Sequence, residues 1–315
     1  MAFVIYAPIA ATRYASGTGL HVTGVAAGPG FLASGILSLF MLQSWTLVFW
    51  GWNPPSWSIS SEAFFYFTFP WLMPRLSKIN SRNLLRLCFV LWIISLIAPI
   101  YFSIAILGHT PAELRNVWDT ALLTQPLLRI MPFLIGIATG IFFLRYRAHS
   151  PARVSWLTNA AVILSLAVYT VTPESLGRLA ENSLTPVFAV LVYTLAFERG
   201  LLGRLLSHPV LVLLGESSYA TYLLHTPLWN YMARRQNIAM LFHGHFPTGQ
   251  PIPGMVTEWR REMTLHEFGV YLVLLVGIAV LTEIYVGKPA RGYLKRWFEK
   301  RHRRAQAAEL AASAS

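Results

Sequence analysis

The chain has 315 residues, 55% of them hydrophobic and 12% charged, whereas an ordinary soluble domain carries about 25% charged residues. This composition excludes a soluble globular domain and makes lipid the solvent for most of the chain. The formal net charge of +12 would suit nucleic acid, but the placement of the cations, described below, argues against it. The single cysteine, Cys88, excludes an intrachain disulfide and a cysteine-built metal site.

In chain order, MAFVIYAPIAATRYASGTG is too short for a complete span and lacks the basic start of a signal peptide. It reads as the second half of a helix. The following GTGLHVTGVAAGPG reads as a flexible connector, and 31–50 as either a span or a re-entrant segment packed within protein. Apolar stretches then recur at 57–73 (with Glu62 inside), 87–107, 130–144, 154–172, 184–197, 209–232 and 267–287. A spanning helix needs about 20 such residues. These stretches are long and lack the alternation of a barrel strand, so helices are expected. Trp52, Trp57, Trp156, Trp229 and Tyr285 lie near their ends, where rings favour the headgroup region. The expectation is an all-α, polytopic helical bundle of about eight to nine membrane segments. A single membrane domain covers 1–290, and 291–315 is a basic tail.

The cations fall in alternate connections: Arg75, Lys78, Arg82 and Arg86; Arg145, Arg147 and Arg153; Arg199 and Arg204; then eight from Lys288 to Arg304. This is the positive-inside pattern. It puts those loops and the C-terminus in the cytoplasm, with 108–125, 173–183 and 233–265 outside. The tail KPARGYLKRWFEKRHRR reads as an anchor on anionic headgroups rather than a nucleic-acid site, and ELAASAS as a frayed end. The Pro- and Gly-dense loop 233–265 reads as an external cap.

Two segments stand out chemically. In WSISSEAFFY, following the Asn53, Pro54, Pro55 turn, Ser56 and Ser58 are suitable helix N-caps. Ser58, Glu62 and Tyr66 share one helical face, and Trp57 sits at its start. A carboxylate there costs about 2.5 to 3.5 kcal/mol on insertion scales, so Glu62 is a functional candidate, with a hydrogen bond to a neighbouring helix or the water boundary as the alternative. In GESSYATYLLHTP, Ser218, Tyr222 and His225 share a face, and Pro227 frees a carbonyl one turn earlier. His225 suits a general acid or base at neutral pH, or a satisfied packing residue. His243, His245, His266 and Glu267 could bind a metal, but a solvated loop accounts for them as well. Glu283 is expected to pair with a cation or snorkel, and Arg129 to reach headgroups. No G-x-S-x-G, Walker A or H-E-x-x-H occurs.

Together the segments resemble the acyltransferase-3 family of membrane enzymes that acylate sugars. WSISSEAFFYFTFP is similar to the family's W-S-L-S-x-E-x-x-F-Y-x-x-x-P, with LFMLQSW and NPP on its approach. LGESSYATYLLHTPL resembles L-G-x-x-S-Y-x-x-Y-L-x-H-x-P-L, and EIYVGKPAR resembles the last-helix ending Y-x-x-E-[KR]-P. In that ending Gly287 takes the usual Glu position, and Glu283 lies one turn earlier. The family's first helix carries an Arg and His pair implicated in acyl transfer, and its second a F-x-L-S-G-F-type signature; neither occurs here. The expectation is that Met1 falls within the family's third span.

The resemblance implies a multi-pass protein of the bacterial inner membrane. It would pass an acyl group, acetyl being the expected one, from acyl-CoA as donor to a carbohydrate hydroxyl, with no bound cofactor or metal and no nucleic-acid partner. It implies Glu62 and His225 as catalytic candidates, Glu62 orienting the base or the acceptor. His225, Tyr222 and Ser218 would line the pocket, with Trp57, Ser58 and Tyr66 beside the substrate. His225 matches a different family position from the first-helix His. The rival expectation is an inactive truncated homologue or a carrier for a lipid-linked glycan.

Overall fold

The computed structural model describes residues 35–46, 53–106, 112–147, 154–173, 176–198, 200–233 and 264–313. Among these there is no strand, and all seven apolar stretches lie on helices. The helices are α1 Trp57–Ser77, α2 Ser81–Tyr101, α3 Ala112–Thr124, α4 Pro126–Tyr146, α5 Val154–Val171, α6 Gly177–Ser183, α7 Thr185–Leu195, α8 Leu201–Leu206, α9 Pro209–Ala233, α10 Leu265–Thr282 and α11 Lys288–Ser313. Four continuous helical runs are long and apolar enough to cross a membrane: Ser81–Ile104, Trp118–Tyr146, Val154–Val171 and Leu265–Arg301. The eight to nine segments expected from the sequence are not reached on that criterion among the described residues. Helices α1 and α9 are long enough but carry the polar stripes, and α7 is apolar but short.

The packing is that of a protein in lipid. Large apolar side chains face outward, with Ile163 66% and Val273 74% exposed, while Thr158 and Thr194 are 0% and 1% exposed. Small hydroxyl residues at helix contacts let backbones approach, and their hydroxyls bond within their own helices: Thr158 Oγ1 donates to the Val154 carbonyl and Thr194 Oγ1 to the Leu191 carbonyl. One apolar core joins α1, α2 and α4 through Leu76, Leu84, Ile137, Ala138 and Ile141. A second joins α9 to α10 through Leu224, Tyr271 and Leu275.

Helix starts follow local chemistry. Asn80 accepts from the Asn83 N–H and caps α2, and Thr264 with Glu267 forms a capping box that opens α10. Ser56 does not cap α1 with its side chain. Its hydroxyl donates back to the Asn53 carbonyl at 2.6 Å, and that of Ser58 to the Pro55 carbonyl at 3.2 Å. The expected cap fails because the preceding turn leaves carbonyls nearer than the amides of the first helical turn.

The basic connections meet in pairs. Arg145 donates to the Ser77 and Ile79 carbonyls at 2.8 and 2.7 Å and to Ser81 Oγ at 3.1 Å. Ser155 Oγ donates to Glu198 at 2.9 Å, and Lys288 pairs with Glu216 at 2.9 Å. Helix ends that the charge pattern places on one side thus lie together. Helix α11 runs to Ser313, so ELAAS at 309–313 continues a helix where a frayed end was expected.

Residues 35–46 do not run as one helix. A helical turn at 35–39 breaks at Met41, whose φ of 58° is left-handed, and a 3₁₀ turn follows at Gln43–Trp45. The described part of 31–50 is not one continuous helix: its backbone turns at Met41 and is held against the start of α1. The residues before 35, Trp52, the external cap, and His243 and His245 lie outside the described residues.

Candidate active site

The site is built at the start of α1. The 41–46 turn grips it: Gln43 Nε2 donates to the Ser56 carbonyl at 2.7 Å, Ser44 Oγ to the Trp57 carbonyl at 2.6 Å, and Ser60 Oγ to the Met41 carbonyl. Gln43, Ser44, Ser60 and Ser61 are all buried. From α3, the Thr124 carbonyl accepts from Ser61 Oγ at 3.1 Å. The first turns of α1 are therefore fixed on two sides, which sets the direction of its polar stripe.

On that stripe Tyr66 donates to Glu62 Oε2 at 3.4 Å. Glu62 is half-buried and Tyr66 exposed. The Ser58 hydroxyl bonds the Pro55 carbonyl, and on α9 Tyr219 and Tyr222 are near enough to the Glu62 carboxylate to feel its charge. The structure thus joins Glu62 to Tyr66 by a hydrogen bond and leaves Ser58 and Tyr222 in their neighbourhood without a hydrogen bond to them. It adds Tyr219, 45% exposed, which the shared-face reading of α9 passed over. The sequence signal for it was present: Tyr219 stands three residues before Tyr222, one turn away on the same side.

Helix α9 is tied through its own proline to the turn that precedes α1. Pro227 has no N–H to give the Leu223 carbonyl, and Asn53 Nδ2 takes that carbonyl at 3.0 Å. The remaining α9 candidates separate. Ser218 is exposed, and among the described residues no hydrogen bond joins it to Tyr222 or His225. Ser217, its neighbour, is the buried one. The His225 ring is satisfied by its own helix: Nδ1 lies against the Tyr222 carbonyl and Nε2 at 3.0 Å from Thr226 Oγ1. A carbonyl only accepts, so Nδ1 carries a proton. Both ring nitrogens are therefore occupied within α9. Tyr271 on α10 donates to the His225 carbonyl at 3.1 Å and meets the Trp229 ring edge-on.

Arg129 is not at the headgroups. Its side chain is 13% exposed and pairs with Glu181 at 2.8 Å. Its Nε donates to the Leu123 carbonyl at 2.9 Å, and its guanidinium lies 5.9 Å from the Trp57 ring centroid, a cation–π arrangement. Arg178 extends the network, with Nε to Asp119 at 2.8 Å and Nη1 to Glu181 at 3.4 Å. Burial works against the Glu181 carboxylate, but the hydrogen bonds and charges of Arg129 and Arg178 outweigh it and hold its pKa below the usual 4.5. Burial likewise works against Arg178, and Asp119 and Glu181 outweigh it, raising its pKa. The expectation for Arg129 failed because its partner is 52 residues away in sequence; only packing of α4 against α6 and α3 creates the pair.

At the other end of the bundle Glu283 is 4% exposed and paired with Arg291, the cation pairing expected of it. It lies in a π turn, Glu283–Gly287. A Cβ on Gly287 would stand 2.3 Å from Glu283 Oε2, so the carboxylate occupies the space a side chain at 287 would take. Among the described residues no group of three metal-ligating side chains forms, and Glu267 serves the α10 capping box.

This arrangement now meets the comparisons with known proteins. The family described as "Acyltransferase domain", acyltransferase-3, matches residues 2–284. The chain belongs to the acyltransferase-3 family. It is 31% identical over 209 residues to the acyltransferase MdmB of Streptomyces mycarofaciens, covering 61% of this chain and 50% of that protein. The chain spans about half the length of the curated relative it matches. No solved structure matches it. The family match takes in α1, with its polar stripe, and α9, which carries Tyr219, Tyr222 and His225.

Proposed function

We propose that this membrane protein is an O-acyltransferase, passing an acyl group from acyl-CoA to a carbohydrate hydroxyl at the outer face of a bacterial inner membrane. In that reaction the thioester C–S bond breaks, the ester C–O bond forms, and the hydroxyl proton ends on the CoA thiol. The protein must take that proton from the attacking hydroxyl and steady the oxyanion of the tetrahedral intermediate. The observation that carries the reading is the half-buried Glu62 carboxylate near the start of α1, hydrogen-bonded by Tyr66, with Tyr219 and Tyr222 of α9 within range of its charge.

Glu62 accepts from the acceptor hydroxyl, or from the base that deprotonates it. Tyr66 and Tyr222 orient the carboxylate and offer phenol donors toward developing negative charge. Trp57, held over Arg129, gives the sugar an apolar face, with Ser58 and Ser218 at the rim. His225 is assigned to the pocket wall, since both its nitrogens bond within α9. The basic connections and α11 face the cytoplasm, where acyl-CoA is made, and the expected eight to nine segments complete the bundle. Support comes from the family membership, the acyltransferase relative and the polar cluster on membrane helices.

The test measures transfer of radiolabelled acetyl from acetyl-CoA into surface glycan by membranes containing the protein, before and after Glu62→Gln. Transfer by the unaltered protein with a loss of 100-fold or more in the variant, within the range for removing an acid–base group, is expected. Equal transfer by both would remove Glu62 from the reaction. A carrier for a lipid-linked glycan would move label-free glycan across the bilayer without ester formation.

A further inference from the structure

We propose that α11 bends at the end of α10 and lies along the anionic lipid surface, with Tyr293, Leu294, Trp297 and Phe298 inserted among the headgroups. The apolar run from Leu265 to Gly287 has 23 residues and so spans about 35 Å, enough for the hydrocarbon layer of about 30 Å. A helix continuing straight would carry Phe298 about 16 Å past Gly287, beyond a headgroup layer of about 5 to 8 Å. Yet the residues that follow are apolar: Tyr293, Leu294, Trp297 and Phe298 are all exposed, and at 100° per residue they share an arc of about 140°. Lys295, Arg296 and Arg303 lie on the opposite side, and Lys300 flanks the apolar arc. Arg301, which falls within it, stacks on Trp297 at 5.4 Å.

Among the described elements α11 has its close packing only with the π turn that precedes it. That leaves this apolar stripe without protein cover. An exposed apolar arc opposed by cations is the pattern of a helix in the membrane interface. Charge selects the occupant: seven described cations lie between Lys288 and Arg303, against Glu299 as the single acid. Lys288 and Arg291 are taken by Glu216 and Glu283, which pins the start of α11 to the bundle. The cations beyond it remain to face lipid phosphates and acidic headgroups. Nucleic acid would meet the same charge but would leave the aromatic arc in water. The π turn at Glu283–Gly287 and Gly292, whose Cβ would have a flexible arginine as its nearest neighbour, supply the place to bend.

The full-length protein with Cys88→Ser and Leu294→Cys, carrying a nitroxide at 294, is placed in nanodiscs of phosphatidylcholine alone or with one third phosphatidylglycerol. Collision with oxygen and with a water-soluble nickel chelate is then read by electron paramagnetic resonance. In the anionic discs the nitroxide becomes oxygen-accessible and chelate-protected. Adding Lys295→Glu, Arg296→Glu and Arg303→Glu reverses this, each lost cation weakening surface association about fivefold. Equal chelate access in both lipids, or protection indifferent to the three reversals, overturns the proposal. Protection in pure phosphatidylcholine discs on adding a short RNA, but not in anionic discs alone, replaces lipid by nucleic acid. Because the substituted residues are exposed on a terminal helix, a folded bundle is expected in every variant, and size-exclusion profiles check it.

Discussion

The polar stripes of α1 and α9 look alike on paper: each places hydroxyl and titratable groups along one helical face. They end in different chemical states. On α1 the Glu62 carboxylate is hydrogen-bonded by a side chain, Tyr66 of its own helix, and acts by its charge on Tyr219 and Tyr222 of α9. On α9 the His225 ring spends both nitrogens on its own helix, and Pro227 opens the Leu223 carbonyl to Asn53. The lesson is that a stripe marks where polarity is tolerated in a membrane helix, while the partners decide whether it remains available for a substrate. A carboxylate needs donors from outside, whereas imidazole beside a freed turn can satisfy itself.

That contrast can be broken most directly at its two titratable groups. Glu62→Gln is expected to lower acyl transfer by 100-fold or more while leaving thermal stability in detergent near that of the parent. His225→Phe keeps a ring against Tyr222 but removes both hydrogen bonds. It is expected to keep transfer within about fivefold and to cost about 1 kcal/mol of stability. If His225→Phe abolishes transfer as Glu62→Gln does, the two stripes are functionally equal and His225 returns to the reacting groups.

The supports behind the stripes give smaller effects. Arg129→Ala leaves the Glu181 carboxylate half-buried with Arg178 alone and removes the cation beneath Trp57. A loss of about 3 kcal/mol is expected, read as a lowered melting temperature, with raised KM for the sugar acceptor. Arg129→Lys should recover part of the charge but not the planar contact with Trp57. At the opposite end, Gly287→Ala pushes the Glu283 carboxylate off Arg291. It should cost about 1 to 2 kcal/mol, as overpacking does, with little effect on the acceptor's KM.

The smallest effect is one of pH. Glu181 has a depressed pKa in the folded protein, so its contribution to stability is fully present above the ordinary value of 4.5 and is lost as pH falls through the folded value. Thermal unfolding of the parent should therefore weaken below pH 4.5 more steeply than that of Glu181→Gln. Parallel curves would mean that the ion pairs of Glu181 with Arg129 and Arg178 do not stabilise the fold.

Much of this was legible residue by residue. The seven apolar stretches all became helices because a segment of that length in lipid has no other way to satisfy its backbone. The face shared by Ser58, Glu62 and Tyr66 follows from 100° per residue, and the freed carbonyl before Pro227 from the missing N–H. What escaped were contacts between distant residues. Arg129 read as a headgroup anchor because its chain neighbours are apolar, while Glu181 and Trp57 reach it only after α1, α4 and α6 have packed.

By itself, then, the sequence determined the solvent, the helices and the residues that mark the family, since these depend on composition and local periodicity. Tertiary structure alone decided that 35–46 turns back against α1 instead of running on, that Asn53 takes up the carbonyl Pro227 frees, and that Arg129 pairs with Glu181. The physical reason is common to all three. A buried polar group must find a partner, and which partner it finds depends on the helices that packing sets beside it.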